Sequence, residues 1–481
     1  MSSGTSPRSE TSPARLVCPS IRWRRGSFSS ERTKVRDALA AGVGGFILFG
    51  GTRAAVTALT NEIRTRAGRP LLLGSDLERG AGQQVRGLTE LPSPGALGFV
   101  NDLDATARCG AITAIEARSV GINWIFAPVC DLDVEPKNPI VQTRSFGTDP
   151  ARVGAHAAAW ISACQNEGVL ACAKHYPGHG RTTTDSHEGV PVVEGAAAEL
   201  QRADAAPFAA AVQVGVGSIM PAFVAYPGWD ASGSAATFSR PILEYLRSTI
   251  GFSGLVVTDA FIMGGATAAA PEGDAAVAAV HAGCDMLLYP TDWAGVVRAL
   301  RRVEQRRVEE AVGRYNAAVR GRETGEAGRV TDAQLAEHQQ FADGVADRAL
   351  HLLRGELPAL GKSVSVTIVD DDVGGPYTIP PRDVFTRELM ARGLGVPRYP
   401  EPGTRHIVLV YAEPRSWKGR GDLGGRSLAQ LERLVPQASL VILFAHPRLV
   451  AQVPGDVPVL CAWHGQALMQ RAAARWVTAF L

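Results

Sequence analysis

Residues 168–175 read GVLACAKH, an unbroken apolar run that ends in Lys174 and His175. A continuous run of this length suits a strand buried on both faces, as in a parallel sheet. The same pattern recurs along the chain: RLVCPSI (15–21), GGFILFG (44–50), PLLLGSD (70–76), GINWIFAP (121–128), VGSIMPA (216–222), GLVVTDA (254–260) and CDMLLYP (284–290). Helix-like segments lie between these runs. SERTKVRDALAAGV opens on a capping serine, RAAVTALTNEIRTRAG stops at a glycine, and AAAELQRADAAPFAAAVQVG reads as one further helix. Eight strands alternating with eight helices, complete near residue 320, predict a (β/α)8 TIM barrel within the α/β class.

Beyond the barrel, SVSVTIVDD, RHIVLVYAE, SLVILFAHP and PVLCAWHG give at least four more strands of parallel type. The expected organisation is a flexible tail over 1–14, a barrel over 15–320, a helical linker over 321–360 and a smaller α/β domain over 361–481. A net charge of +2 gives no field that would draw nucleic acid, and no run of eighteen apolar residues is present to span a membrane. The arginine-rich RALRRVEQRRVEE, with glutamates interleaved, reads as a solvated helical face. Seven scattered cysteines without a CxxC read as buried free thiols in a reducing compartment, and the polar N-terminus lacks a secretion signal. A cytoplasmic protein, monomer or homodimer, with no cofactor and no metal, is the expectation.

In a barrel of this kind, chemistry gathers at the carboxyl ends of the strands. Those ends carry Asp76 (strand three), Asp131 and Asp133 with Arg144 further along (strand four), Lys174 and His175 (strand five) and Asp259 (strand seven). Each residue alone could cap a helix or satisfy the rim. On one rim they form a pocket for hydroxyl groups, which can donate to a carboxylate and accept from Lys or Arg. The loop AKHYPGHGRTTTDSHEG (173–189) holds His175, His179 and His187, a possible zinc set. However, Pro and Gly break the helix that H-x3-H spacing would need, and no thiolate supports a closed site. Asp185 and His187, two apart, can instead share a side, a carboxylate orienting an imidazole for acid/base work or a merely structural pair. Asp259 after an apolar strand suits a nucleophile for an anomeric carbon, or a helix cap.

At this point KHYPGHG…DSH, VVTDAFIMGG, RSFGTDP, GGFILFGG and ATFSRPILEYLRSTIGFSGLVVTDA together resemble glycoside hydrolase family 3, in its β-N-acetylglucosaminidase branch. The resemblance implies a retaining exo-β-N-acetylglucosaminidase acting on a small carbohydrate. Asp259 would be the nucleophile, His187 the acid/base oriented by Asp185, and Asp76, Arg144, Lys174 and His175, with Arg86, would hold the sugar. Two places depart from the family pattern. DLERGAGQQVR has Arg79 where a glycine is expected, and Phe223 stands where many relatives carry a histidine. A phosphorylase using the same residues and an inactive sugar-binding barrel are the alternatives.

Overall fold

The computed structural model describes residues 11–184, 189–268, 270–322, 329–357, 359–375, 379–397, 404–415 and 417–479. Asp185 and His187 lie outside the described residues. All eight barrel runs form strands: β1 in two pieces (Val17–Cys18 and Ser20–Arg22), β2 (Gly45–Phe49), β3 (Leu72–Ser75), β4 (Trp124–Ile125), β5 (Leu170–Tyr176), β6 (Ser218–Pro221), β7 (Leu255–Val256) and β8 (Leu287–Leu288). Each pairs in parallel with its neighbour from β1 to β7. The Val257–Met286 bridge and the pairing of Val17–Cys18 with Leu287–Leu288 close the ring. The result is the expected (β/α)8 barrel.

Register fixes which side chains point inward. Cys18, Ile47, Leu72, Trp124, Phe126, Cys172, Met220, Val257 and Leu288 share one buried cluster inside the barrel. Side chains alternate with a period of two, so the residue two beyond an inward one also faces inward. Cys172 therefore leads to Lys174, Val257 to Asp259 and Gly74 to Asp76, all at the carboxyl rim. A second buried cluster, on the outer faces of the strands, takes up the helices.

Helix ends follow the expected chemistry in part. Thr52, Asp102 and Asp149 cap Arg53–Ala67, Leu103–Ser119 and Pro150–Asn166, and Gly42 (φ 87°) and Gly68 (φ 59°) end two helices in the left-handed region. Ser30 is not a cap: Ser29–Glu31 forms a 3-10 turn ahead of Arg32–Ala41. The helix expected after β5 is two, Ala197–Arg202 and Ala206–Gln213, with Pro207 in the first turn of the second, where its missing N–H is tolerated. The arginine-rich segment also divides, into Trp293–Ala299 and Gln305–Val319. Its face is not wholly solvated. Arg307, with Arg247 and Arg314, holds the fully buried carboxylate of Asp285 at 2.7–2.9 Å.

The second sheet has five strands in the order β9-β13-β12-β11-β10: β9 (His351–Arg354), β10 (Val364–Asp370), β11 (Arg405–Ala412), β12 (Leu440–Ala445) and β13 (Val459–Cys461). The last four are the parallel strands read from sequence. Strand β9 runs antiparallel to β13 and follows the helix Asp332–Ala349, so the segment read as a linker supplies an edge of this sheet. The start of the chain differs as well: the 3-10 helix Pro13–Leu16 begins within the stretch read as a tail, at Pro13 and buried Ala14, and runs on into the first barrel run with Leu16 also buried. All seven cysteines are buried and unpaired. No helix among the described residues is long and apolar enough to cross a membrane.

Candidate active site

Lys174 is the hinge of the rim. Its side chain is 4% exposed, and its ammonium lies 2.8 Å from Asp76 Oδ1 and 2.8 Å from Glu78 Oε1. Arg144 grips Glu78 with both arms of its guanidinium: Nη2 donates to Oε1 at 2.8 Å and Nε to Oε2 at 3.0 Å. Burial opposes the charge on Glu78, but Arg144 and Lys174 outweigh it and hold the carboxyl well below the usual carboxylate range. Burial likewise opposes the charge on Lys174, and Asp76 and Glu78 reverse that, raising its pKa. Two cations and two anions thus balance in a nearly dry place. Asp76, with 31% of its side chain exposed, is the most open member of the set, followed by Arg144 at 19%.

Next to this group stands a carboxylate–imidazole pair. Asp131 is fully buried, and its Oδ1 accepts from the backbone N–H of His175 at 3.1 Å and of His179 at 2.7 Å. Its Oδ2 lies 2.7 Å from His175 Nδ1. Burial raises the Asp131 pKa, but the two histidines more than offset it, and the carboxyl stays ionised. An anion at Nδ1 fixes the ring proton there and orients the ring. The other nitrogen, Nε2, then stands 3.9 Å from Asp259 Oδ2. Asp259 is anchored by its own loop, with Oδ1 accepting from the Ala260 N–H at 2.7 Å. Its side chain is 17% exposed, so the nucleophile candidate is ordered and still open to the pocket.

The rim thus brings together Asp76, Arg144, Lys174, His175 and Asp259 as the sequence reading expects. Arg86 is not part of that set. Its backbone pairs with Gly51 and Arg53 beyond β2, and its side chain is exposed. Two members went unassigned in sequence: Glu78, which binds both Lys174 and Arg144, and Asp131 in its role of orienting His175. Glu78 sits two residues past Asp76, so the period of two was the available signal. Phe223, in place of a histidine, is fully buried, with Phe238 and Phe261 rings 5.7 and 5.9 Å away, so it belongs to the core behind the rim.

His175 and His179 are committed to separate hydrogen bonds, the second through Nδ1 to Thr182 Oγ1 at 2.8 Å. Among the described residues no group of three or more His, Cys, Asp or Glu side chains is arranged to hold a metal. The loop leaving β5 is held by Arg181 on Asp204 at 2.9 Å, and its far end returns where Val192 bridges to Ala225.

Comparison with known proteins agrees with this geometry. The model for the glycosyl hydrolase family 3 N-terminal domain matches residues 16–317. A "Beta-hexosaminidase" of Bordetella avium is 38% identical over 270 residues, which are 54% of this chain and 75% of that protein. A "Beta-N-acetylglucosaminidase/beta-glucosidase" of Cellulomonas fimi is 35% identical over 257 residues, 51% of this chain and only 46% of that longer protein. Among solved structures, a family 3 β-N-acetylglucosaminidase from Paenibacillus sp. superposes with a TM-score of 0.87 at 26% identity, covering 99% of this chain and 97% of that one. The polar rim, the ring of parallel strands and the matched family model lead to one conclusion: the chain belongs to glycosyl hydrolase family 3.

Proposed function

We propose that this protein is a retaining exo-β-N-acetylglucosaminidase that removes terminal β-linked N-acetylglucosamine from small glycosides. The observation that carries the reading is the placement of Asp259. It faces inward at the end of β7, on the same rim as a hydroxyl-binding set and 3.9 Å from an oriented imidazole. A carboxylate oxygen of Asp259 attacks the anomeric carbon as the glycosidic C–O bond breaks. His187, oriented by Asp185, gives its proton to the departing oxygen. It then takes a proton from water, whose oxygen displaces the carboxylate and restores the original configuration. Asp76, Lys174 and Arg144, with Glu78 beneath them, hold the sugar hydroxyls.

His175 is better suited to binding than to proton transfer to the leaving group. A general acid and a nucleophile in a retaining enzyme stand about 5 Å apart or more, with the anomeric carbon between them. At 3.9 Å from Asp259, His175 leaves too little room and instead orders the nucleophile's side of the pocket. We take residues 15–320 as the catalytic barrel and the second α/β domain as beginning at its edge strand β9 rather than at residue 361. Seven unpaired buried thiols favour action in the reducing cytoplasm.

Release of nitrophenol from the β-N-acetylglucosaminide and the β-glucoside, side by side with and without phosphate, tests the proposal. Preference for the N-acetyl substrate, independent of phosphate, is the expected result. Turnover that requires phosphate would make the chain a phosphorylase, and no turnover on either would remove the enzyme reading.

A further inference from the structure

The departure from the family pattern at Arg79 has a partner in the second sheet. Glu78 and Arg79 are consecutive, and they point to opposite sides of the loop after β3. Glu78 turns to Lys174 and Arg144. Arg79 Nη1 lies against His464 Nε2, at the carboxyl end of β13. Behind His464 is Glu413, just past the end of β11, its Oε2 3.3 Å from the same ring nitrogen. Glu413 is 4% exposed and is further held by Arg415 at 2.6 Å and by the Gly465 N–H at 3.2 Å. Burial works against its charge, but His464, Arg415 and Arg79 hold the carboxyl well below its usual range.

The backbone repeats the connection. Arg79 O accepts from the Leu91 N–H at 2.9 Å, and Leu91 O accepts from Gln466 Nε2 at 2.7 Å. One other barrel loop, after β4, is tied at two points to the same carboxyl end of the second sheet. Gln142, two residues before Arg144, donates to Gly421 O at 3.1 Å, and Asp133 meets His446 at 2.9 Å and Arg448. The two loops that present the rim groups, one with Glu78 and one with Asp131 and Arg144, are therefore both anchored on the second sheet.

We infer that Arg79 is a positioning residue: through His464 and Glu413, the second sheet fixes the loop that sets Glu78, and Glu78 sets the sugar-binding Lys174 and Arg144. A glycine at this position could not make the link. The inference rests on the sugar-binding reading of this rim but does not depend on which aryl glycoside is cleaved. A side chain that positions binding groups acts on KM, whereas one that only supports the fold acts on stability.

The test is Arg79→Gly, with Glu413→Gln as a second variant should the first fail to fold, assayed on nitrophenyl β-N-acetylglucosaminide. A rise in KM of ~10-fold, with kcat changed much less and a single cooperative melt retained, is expected. Millimolar guanidinium should lower KM in Arg79→Gly and leave the parent enzyme unchanged. A lowered melting temperature with an unchanged KM would overturn the inference, as would a loss confined to kcat. If the parent enzyme releases no nitrophenol, the hydrolase reading fails separately, and calorimetric binding of N-acetylglucosamine replaces KM. Weaker binding by Arg79→Gly then sustains the positioning role, and equal binding, or no binding by either protein, removes it.

Discussion

Lys174 and Arg144 bring two positive charges into a place almost closed to water, and Glu78 answers both. Replacing it by Gln keeps the shape and removes the charge, leaving Arg144 facing a neutral amide. Breaking a buried ion pair from one side costs about 3–5 kcal/mol, so Glu78→Gln should lower stability visibly in a denaturant melt and raise KM for the glycoside by ~10-fold or more. A variant with native stability and KM would show that Glu78 is peripheral. At His187 the expectation is different. Its replacement should cost little with dinitrophenyl glycosides, whose leaving groups need no proton, and much more with poor leaving groups. Equal losses on both would exclude it as the acid. At this scale the sequence was informative where motifs are contiguous, as at Lys174–His175 and Asp259. It was silent on Glu78 and, although it placed Asp131 on the rim, on what Asp131 does there, because both roles depend on partners 66 and 44 residues away.

Among the elements, the strands were the most legible. Each buried strand reads as an apolar run, and the inward period of two extends past its end to the chemistry. Helices were less so: Pro207 interrupts a segment of good helical composition, and Asp285 draws Arg307 off the solvated face of another. The loop after β5 carries a sharper constraint. Gly180 packs so closely on the loop after β4 that a β-carbon there would run into the Leu132 carbonyl. Backbone cannot yield as a side-chain tip can. Gly180→Ala is therefore expected to push the two loops apart and reduce kcat/KM by ~10-fold or more, with far-ultraviolet dichroism unchanged. Activity equal to the parent would mean that the loop absorbs the shift without consequence for the site.

For the whole molecule, the sequence reads at least four parallel strands into the second sheet. Its antiparallel edge β9 went unseen because HLLR is short and half-buried, without the apolar run that marks the others. The contact between sheet and barrel is a matter of long-range pairing, which composition does not reveal. Acid sensitivity is a property of the whole fold. Burial lowers the pKa of His156 and of His464 to about 4, so both are neutral in the fold, while the unfolded chain takes up protons at ordinary histidine values. The unfolded state then binds more protons between about pH 4 and 6.5, and stability rises with pH across that window. Glu78 and Asp131, with depressed pKa values, add stability above the usual carboxylate range that is lost on further acidification. Urea melts from pH 4 to 7 should show this slope, and His464→Gln should flatten it. A parent profile flat across the window would contradict the neutral, buried state of these rings.

The covalent role of Asp259 is the claim on which the account stands, and the intact mass of the protein tests it most directly. Incubation with a fluorinated N-acetylglucosaminyl fluoride, which forms the glycosyl-enzyme quickly and hydrolyses slowly, should add the mass of one sugar. Peptide mapping should place that sugar on Asp259, and Asp259→Ala should remain unlabelled. A label on another carboxylate, or none on an enzyme that is turning over, would contradict the mechanism.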